Sequence, residues 1–201
     1  MRNKSIAKRE AILKAAFGVF CDRGYYEMRM DDVARSAGVA KGTVYLYFKD
    51  KPDLYLGITR WLIAQALGIV REVVREPLSV QGRLTRIFNR WTESLLLYPA
   101  AIDLLFPESR TEGYSISRRF HMRVKPEIIR LVDTIAELIK EGVRAGEFRK
   151  VEPRLAALSF LNAFRSSLLI VARGIKVKSA SARSLDLFFN GISTFNGKGG
   201  R

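Results

Sequence analysis

The residues best suited to chemistry lie between Asp31 and Leu54, in the run DDVARSAGVAKGTVYLYFKDKPDL. Eight positions, Lys41 to Phe48, gather a lysine, a glycine, a threonine and two tyrosines. That composition suits a helix laid against a polyanion. Lys41 can reach a phosphate or a guanine edge, Thr43 can bond a base or a phosphate, and Tyr45 and Tyr47 offer hydroxyls to phosphate. Gly42 lets the backbone approach closely. Leu46 and Lys49 fall on the same outward face, where Leu46 can pack on a thymine methyl. Lys51 opens the next helix, whose positive dipole end also favours a phosphate.

Other chemistries find little support. His121 is the single histidine and Cys21 the single cysteine. No zinc site of the usual ligand types follows from one of each, and no Ser-His-Asp set or Cys-His pair suggests itself. Cys21, one turn after Phe17 on an apolar face, reads as a packing residue. His121 sits in a basic run with Arg118 and Arg119 and reads as part of a solvated face. No phosphate-binding glycine loop follows a strand, because no strand pattern appears. The expectation is therefore no enzyme, no metal and no cofactor.

The elements that position these residues are helical throughout. A first helix from about Ser5 to Arg23 carries its apolar stripe on Ile12, Leu13, Ala16, Phe17 and Phe20, and Gly24 is placed to end it. Helices at Met30–Ser36 and Lys41–Phe48 flank a turn at Gly38, where a residue without Cβ can take positive φ. Asp50, with Pro52 and Asp53, caps a long helix to about Arg75. Ser79 caps one from Val80 to Tyr98, and Pro99 begins a short one to Phe106. Residues 107–116, with Pro, Ser, Thr and Gly, read as a loop. A helix over Ser117–Ala145, with a kink at Pro126, precedes one over Pro153–Arg173 and a last one over Ala182–Phe195. No stretch reaches the ~20 apolar residues of a membrane span. The predicted fold class is all-α, with about nine helices.

Val33, Ala34, Ala37, Val39, Val44 and Phe48 can form a small core that sets the angle between the second and third helices, the geometry by which a helix-turn-helix presents its second helix to the major groove. Here the chain resembles TetR-type (tetracycline-repressor-like) transcriptional regulators. The resemblance is carried by Gly24-Tyr25, Asp32-Val33-Ala34, the run Ala37 to Phe48, and Lys51 and Leu54, and it is close over residues 1–55. It implies a DNA-binding domain at 1–55, an effector-binding and dimerisation domain at 56–196 and a homodimer on a two-fold-symmetric operator, while the polar, glycine-rich residues 197–201 read as a flexible tail. Three residues depart from the family pattern. Arg29 stands where a capping Ser or Thr is usual and can itself hold a phosphate, while Asp31 and Asp32 restore ~0.3–1 kcal/mol each at the positive helix end. Ala40 replaces a capping hydroxyl worth ~1 kcal/mol. Leu46 takes a position that is often polar.

The resemblance further implies a pocket among the middle helices, for which Trp61, Gln65, Trp91, Leu95, Leu105, Phe164 and Arg165 are candidates. Apolar walls with few polar anchors suit a small hydrophobic effector. Ligand binding would change the separation of the two DNA-reading heads, shifting an equilibrium by its differential affinity for two states. The last two helices are apolar on more than one side, which suggests a second burial surface and so a homodimer through Leu158, Leu161, Leu168, Leu169, Leu185, Phe188, Phe189 and Ile192.

A net charge of +15 points to anionic partners, nucleic acid first. Its distribution does not locate them: residues 1–60 hold 12 Lys+Arg against 7 Asp+Glu, and the rest 23 against 13. This even spread motivates an alternative, a non-specific basic DNA-binding protein without an effector. The basic run Arg118–Arg130 alone would support a membrane-surface or protein-binding module. The leading expectation is a ligand-responsive repressor in the cytoplasm, with double-stranded DNA and a small effector as partners and no membrane.

Overall fold

The computed structural model describes residues 2–96, 98, 114–174 and 179–192. Eight helices occur among them: α1 Arg2–Glu27, α2 Met30–Ser36, α3 Lys41–Tyr47, α4 Lys51–Val73, α5 Val80–Leu96, α6 Tyr114–Arg144, α7 Pro153–Ala172 and α8 Ala180–Ile192. The all-α architecture matches the sequence expectation. The predicted helix at 99–106, Leu105 and the tail from 197 lie outside the described residues. Tyr114 to Ile116 are helical where a loop was predicted. A first turn has unsatisfied N–H groups in any case, so Ser and neighbouring turn formers cost little there.

Gly24 interrupts α1 at φ 73° and ψ 178°, and the chain then makes one more turn to Glu27. Only a residue without Cβ takes that conformation readily, so the glycine bends the helix rather than simply ending it.

Contacts divide the chain into two compact units, Met1–Gln65 with Tyr98–Glu127 and Ala66–Leu97 with Ile128–Arg201. In the first, the predicted stripe of α1 is buried as expected: Ile12, Leu13, Ala16, Phe17 and Phe20 meet Val33, Ala34, Val44, Phe48, Leu54 and Ile58 as its core residues. Asp50 accepts the Asp53 N–H at 2.8 Å, and Asp53 accepts the Lys49 N–H at 3.1 Å, so the two carboxylates cap α4 reciprocally. Arg60 ties α4 to α6, with Nε 2.8 Å from Glu127 Oε1 and Nη2 donating to the Arg123 carbonyl at 2.8 Å.

The second unit is built around aromatic rings. Phe88, Trp91, Phe160 and Phe164 meet edge to face or tilted, with centroids 5.3–6.0 Å apart. Its helix ends are closed from far along the chain. Both Glu147 carboxylate oxygens accept at 2.9 Å from the first N–H groups of α5, on Val80 and Gln81. Arg149 donates through its backbone N–H to the Ile192 carbonyl and through Nε to the Gly191 carbonyl, both at 2.8 Å, closing the end of α8. Glu152 caps α7, with Pro153 in its first turn. Arg83, nearly buried, pairs with Glu141 through both terminal guanidinium nitrogens, Nη1 and Nη2.

One expectation needs correction. The 19 residues Pro153–Val171 have the length and hydropathy of a membrane span, although no such stretch was predicted. The physical reason lies in packing. Ala157, Phe160, Phe164, Ser167 and Leu168 of this helix are buried along one face inside the second unit, while Leu155, Leu158 and Val171 add exposed apolar residues outside that face.

Candidate nucleic-acid interface

Helices α2 and α3 are short, and their orientation is set by what lies behind them. Val44 is fully buried and Phe48 nearly so. The Phe48 N–H bonds the Val44 carbonyl at 3.0 Å to finish α3, and the Arg9 guanidinium lies 5.1 Å above the Phe48 ring. The turn between the helices closes through Val39 N–H to Ala34 carbonyl at 3.0 Å, with Gly38 at φ 64°. Ala37 and Val39, predicted as core, are only half-buried. They occupy the turn, where one side faces solvent.

Anchored this way, α3 turns Lys41, Gly42, Tyr45 and Leu46 outward, all exposed, while Thr43 and Tyr47 are half-buried. Lys49 follows, also exposed. The Tyr47 hydroxyl lies 3.3 Å from Ser5 Oγ, which brings the start of α1 beside the end of α3. Arg29 is exposed at the start of α2 and makes no side-chain capping bond. Ala40 likewise offers no side-chain cap to α3.

Two lysines differ in their electrostatics. Lys41 pairs with Asp31 at 2.8 Å, and that hydrogen bond, with the carboxylate charge, raises its pKa. Both partners are solvated, so the pair is worth little and an arriving phosphate can replace Asp31. Lys51 is held differently. Its Nζ donates to the Tyr26 carbonyl at 2.8 Å and lies 4.8 Å from the Tyr25 ring centroid, and burial lowers its pKa. The structure therefore places Lys51 as a tie between the end of α1 and the start of α4.

Sequence reasoning missed Ser5, Arg9, Asp31 as the partner of Lys41, and Tyr26. The pairs they form with α3 and α4 span from 10 to 42 residues. No local pattern signals contacts at such separations.

The candidate effector residues fall in both units. Trp91 donates from Nε1 to the Ala66 carbonyl at 3.2 Å and packs against Phe160 and Phe164. Leu95 and Phe164 are buried, Arg165 is half-buried and Gln65 is exposed. Trp61 lies 5.8 Å from the Phe17 ring, and its buried Nε1 has no hydrogen-bond partner among the described residues. Of the residues assigned to a dimer surface, Leu168, Leu185, Phe188, Phe189 and Ile192 are buried within the chain's own second unit, Leu161 and Leu169 are half-buried, and Leu158 is exposed. Leu155, Val171 and Leu187 are exposed as well. The two helices pack on each other and on α5, and their remaining apolar residues lie outside that packed face.

Residues 12–58 match the family model for bacterial regulatory proteins of the tetR family. The fatty acid metabolism regulator protein of Bacillus subtilis (strain 168) is 24% identical over 146 residues, spanning 72% of this chain and 73% of that protein. The transcriptional activator FasR of Mycolicibacterium smegmatis is 27% identical over 164 residues, spanning 76% of this chain and 68% of its own. The crystal structure of the transcriptional regulator FadR from Bacillus subtilis in complex with stearoyl-CoA shares the fold, with a TM-score of 0.74 and 22% identity over 91% of this chain and 98% of that one. With the outward face of α3 and its buried anchors in place, residues 12–58 match the DNA-binding segment of the tetR family, and most of the chain is similar to transcriptional regulators of that kind.

Proposed function

We propose that this chain is a ligand-responsive repressor that binds a two-fold-symmetric operator as a homodimer in the cytoplasm. The observation that carries the reading is the exposure of Lys41, Gly42, Tyr45 and Leu46 on a helix anchored from behind by buried Val44 and Phe48. Arg29, Thr43, Tyr47 and Lys49 complete the DNA-facing set, with phosphate contacts positioning α3 and its central residues meeting base edges. Lys51 serves this surface through Tyr26.

Labour divides between a DNA-reading head over residues 1–55 and an effector-binding, dimerising part over 56–196. Leu155, Leu158, Val171 and Leu187 expose apolar surface on α7 and α8, and burying it between two copies is the simplest way to remove it from water. The effector is a hydrophobic molecule, and a long-chain acyl thioester is the class that the relatives' names favour. Its seat is the aromatic-rich second unit, near Trp91, Leu95 and Phe164, where Arg165 supplies positive charge. Binding shifts the pair of heads toward a separation that no longer matches successive major grooves.

The test is selection of bound fragments from genomic DNA, followed by gel shifts on the enriched sequence with and without stearoyl-CoA. The expected result is an inverted repeat bound by two copies and released by the acyl thioester. Equal binding to enriched and random DNA at physiological salt would overturn the repressor reading, since only counterion release would then remain.

A further inference from the structure

Leu46 is 83% exposed, more than any other large apolar side chain among the described residues. Its exposure follows from helix geometry. At 100° per residue, position 46 lies roughly 200° from each of Val44 and Phe48, the buried pair that anchors α3. The centre of the outward face is therefore aliphatic. Gly42, one turn earlier and roughly 40° away around the axis, is exposed, and a Cβ built on it meets nothing within 4 Å. The leucine thus stands as an apolar post beside a gap with no side chain.

Neither residue has a side-chain donor or acceptor, so this central element cannot read bases by side-chain hydrogen bonds. The lysines and tyrosines around it, Lys41, Tyr45 and Lys49, can hold phosphates but leave the middle apolar. In the major groove the base edges present one apolar group, the C5-methyl of thymine. We propose that Leu46 recognises a thymine in each half-site through that methyl, with the open backbone at Gly42 letting α3 approach closely enough to cover it. The proposal rests on α3 being the major-groove helix and names the base class that it reads.

The experiment uses the full chain. Duplexes are selected from a random-sequence library with the wild type and with Leu46→Ala, and the wild-type motif is then resynthesised with uracil replacing thymine one position at a time. Uracil pairs like thymine but lacks the methyl. At one position the replacement should weaken wild-type binding roughly fourfold, and roughly fifteenfold when made in both half-sites, as expected for one methyl covered in each. Leu46→Ala should bind the thymine and uracil duplexes equally and lose preference at that position while keeping the rest of the motif. Because Leu46 supports no core, its thermal melt should match the wild type. A wild-type motif indifferent to uracil at every position, or a Leu46→Ala protein that keeps the methyl dependence, overturns the leucine reading alone. A wild type that enriches no sequence overturns it together with the major-groove reading of α3.

Discussion

Lys51 Nζ lies 2.8 Å from the carbonyl oxygen of Tyr26. That carbonyl belongs to the last turn of α1, where helix acceptors have no partner of their own. The first residue of α4 thus closes the end of α1, and the Tyr25 ring, 4.8 Å away, covers the ammonium. The opening of α4 and the close of α1 share one charged contact.

Replacing Lys51 with Met should therefore act first on stability, costing about 1–2 kcal/mol for a lost charge-assisted bond to a carbonyl. Burial lowers the lysine pKa from 10.5 in the fold, so the unfolded chain binds more protons just below that value. Wild-type stability should then gain relative to Lys51→Met as pH rises from neutrality toward 10.5. Urea denaturation of both proteins at two pH values checks this. A difference that narrows with pH would show that the ammonium gains more from Tyr26 and Tyr25 than it loses on leaving water.

Two glycines of α4 should respond to alanine with opposite signs. A Cβ on Gly57 would lie 2.7 Å from Phe48 Cε1 and 3.1 Å from Leu13 Cδ2, whereas one on Gly68 meets nothing within 4 Å. Gly68→Ala should stabilise by up to about 1 kcal/mol through helix propensity. Gly57→Ala should forfeit that gain, because overpacking costs about 1–3 kcal/mol, and it should weaken operator binding by displacing the ring that anchors α3. Chemical denaturation and gel shifts on the pair separate the outcomes. Equal stabilisation by both would show that Phe48 moves aside freely.

Cys21 should be a sluggish thiol. Burial, then the charge of Asp22, raises its pKa from 9.0 to about 11, so little thiolate exists in the fold near neutrality. A chromogenic disulfide reagent at pH 8 should label the native chain far more slowly than the urea-unfolded chain. Because the folded pKa lies above the unfolded one, the thiol's contribution to stability is complete below pH 9 and is lost as pH rises toward 11. Cys21→Ala should lack that loss in parallel melts. Rapid labelling of the native chain at pH 8 would place the sulfur in open solvent.

The sequence by itself determined the order of helices, the apolar stripe of α1 and the outward face of α3. Those features repeat at 3–4 residue spacing, and the local chain encodes them through periodicity, capping residues and glycines such as Gly38. Asp50 and Asp53 were legible for the same reason. The wide stripes of α7 and α8 were legible too, but their meaning was not. An apolar side chain looks the same whether it meets a neighbouring helix or a second copy of the chain, and only the packing showed that Leu185, Phe188 and Phe189 turn into the subunit's own core. Tertiary structure alone decided that Lys51 closes α1, that Glu147 caps α5 across 66 or 67 residues, and that Asp31 answers Lys41. These are pairings of single polar groups brought together by the fold, and an isolated charge in a sequence carries no mark of which distant partner it will meet.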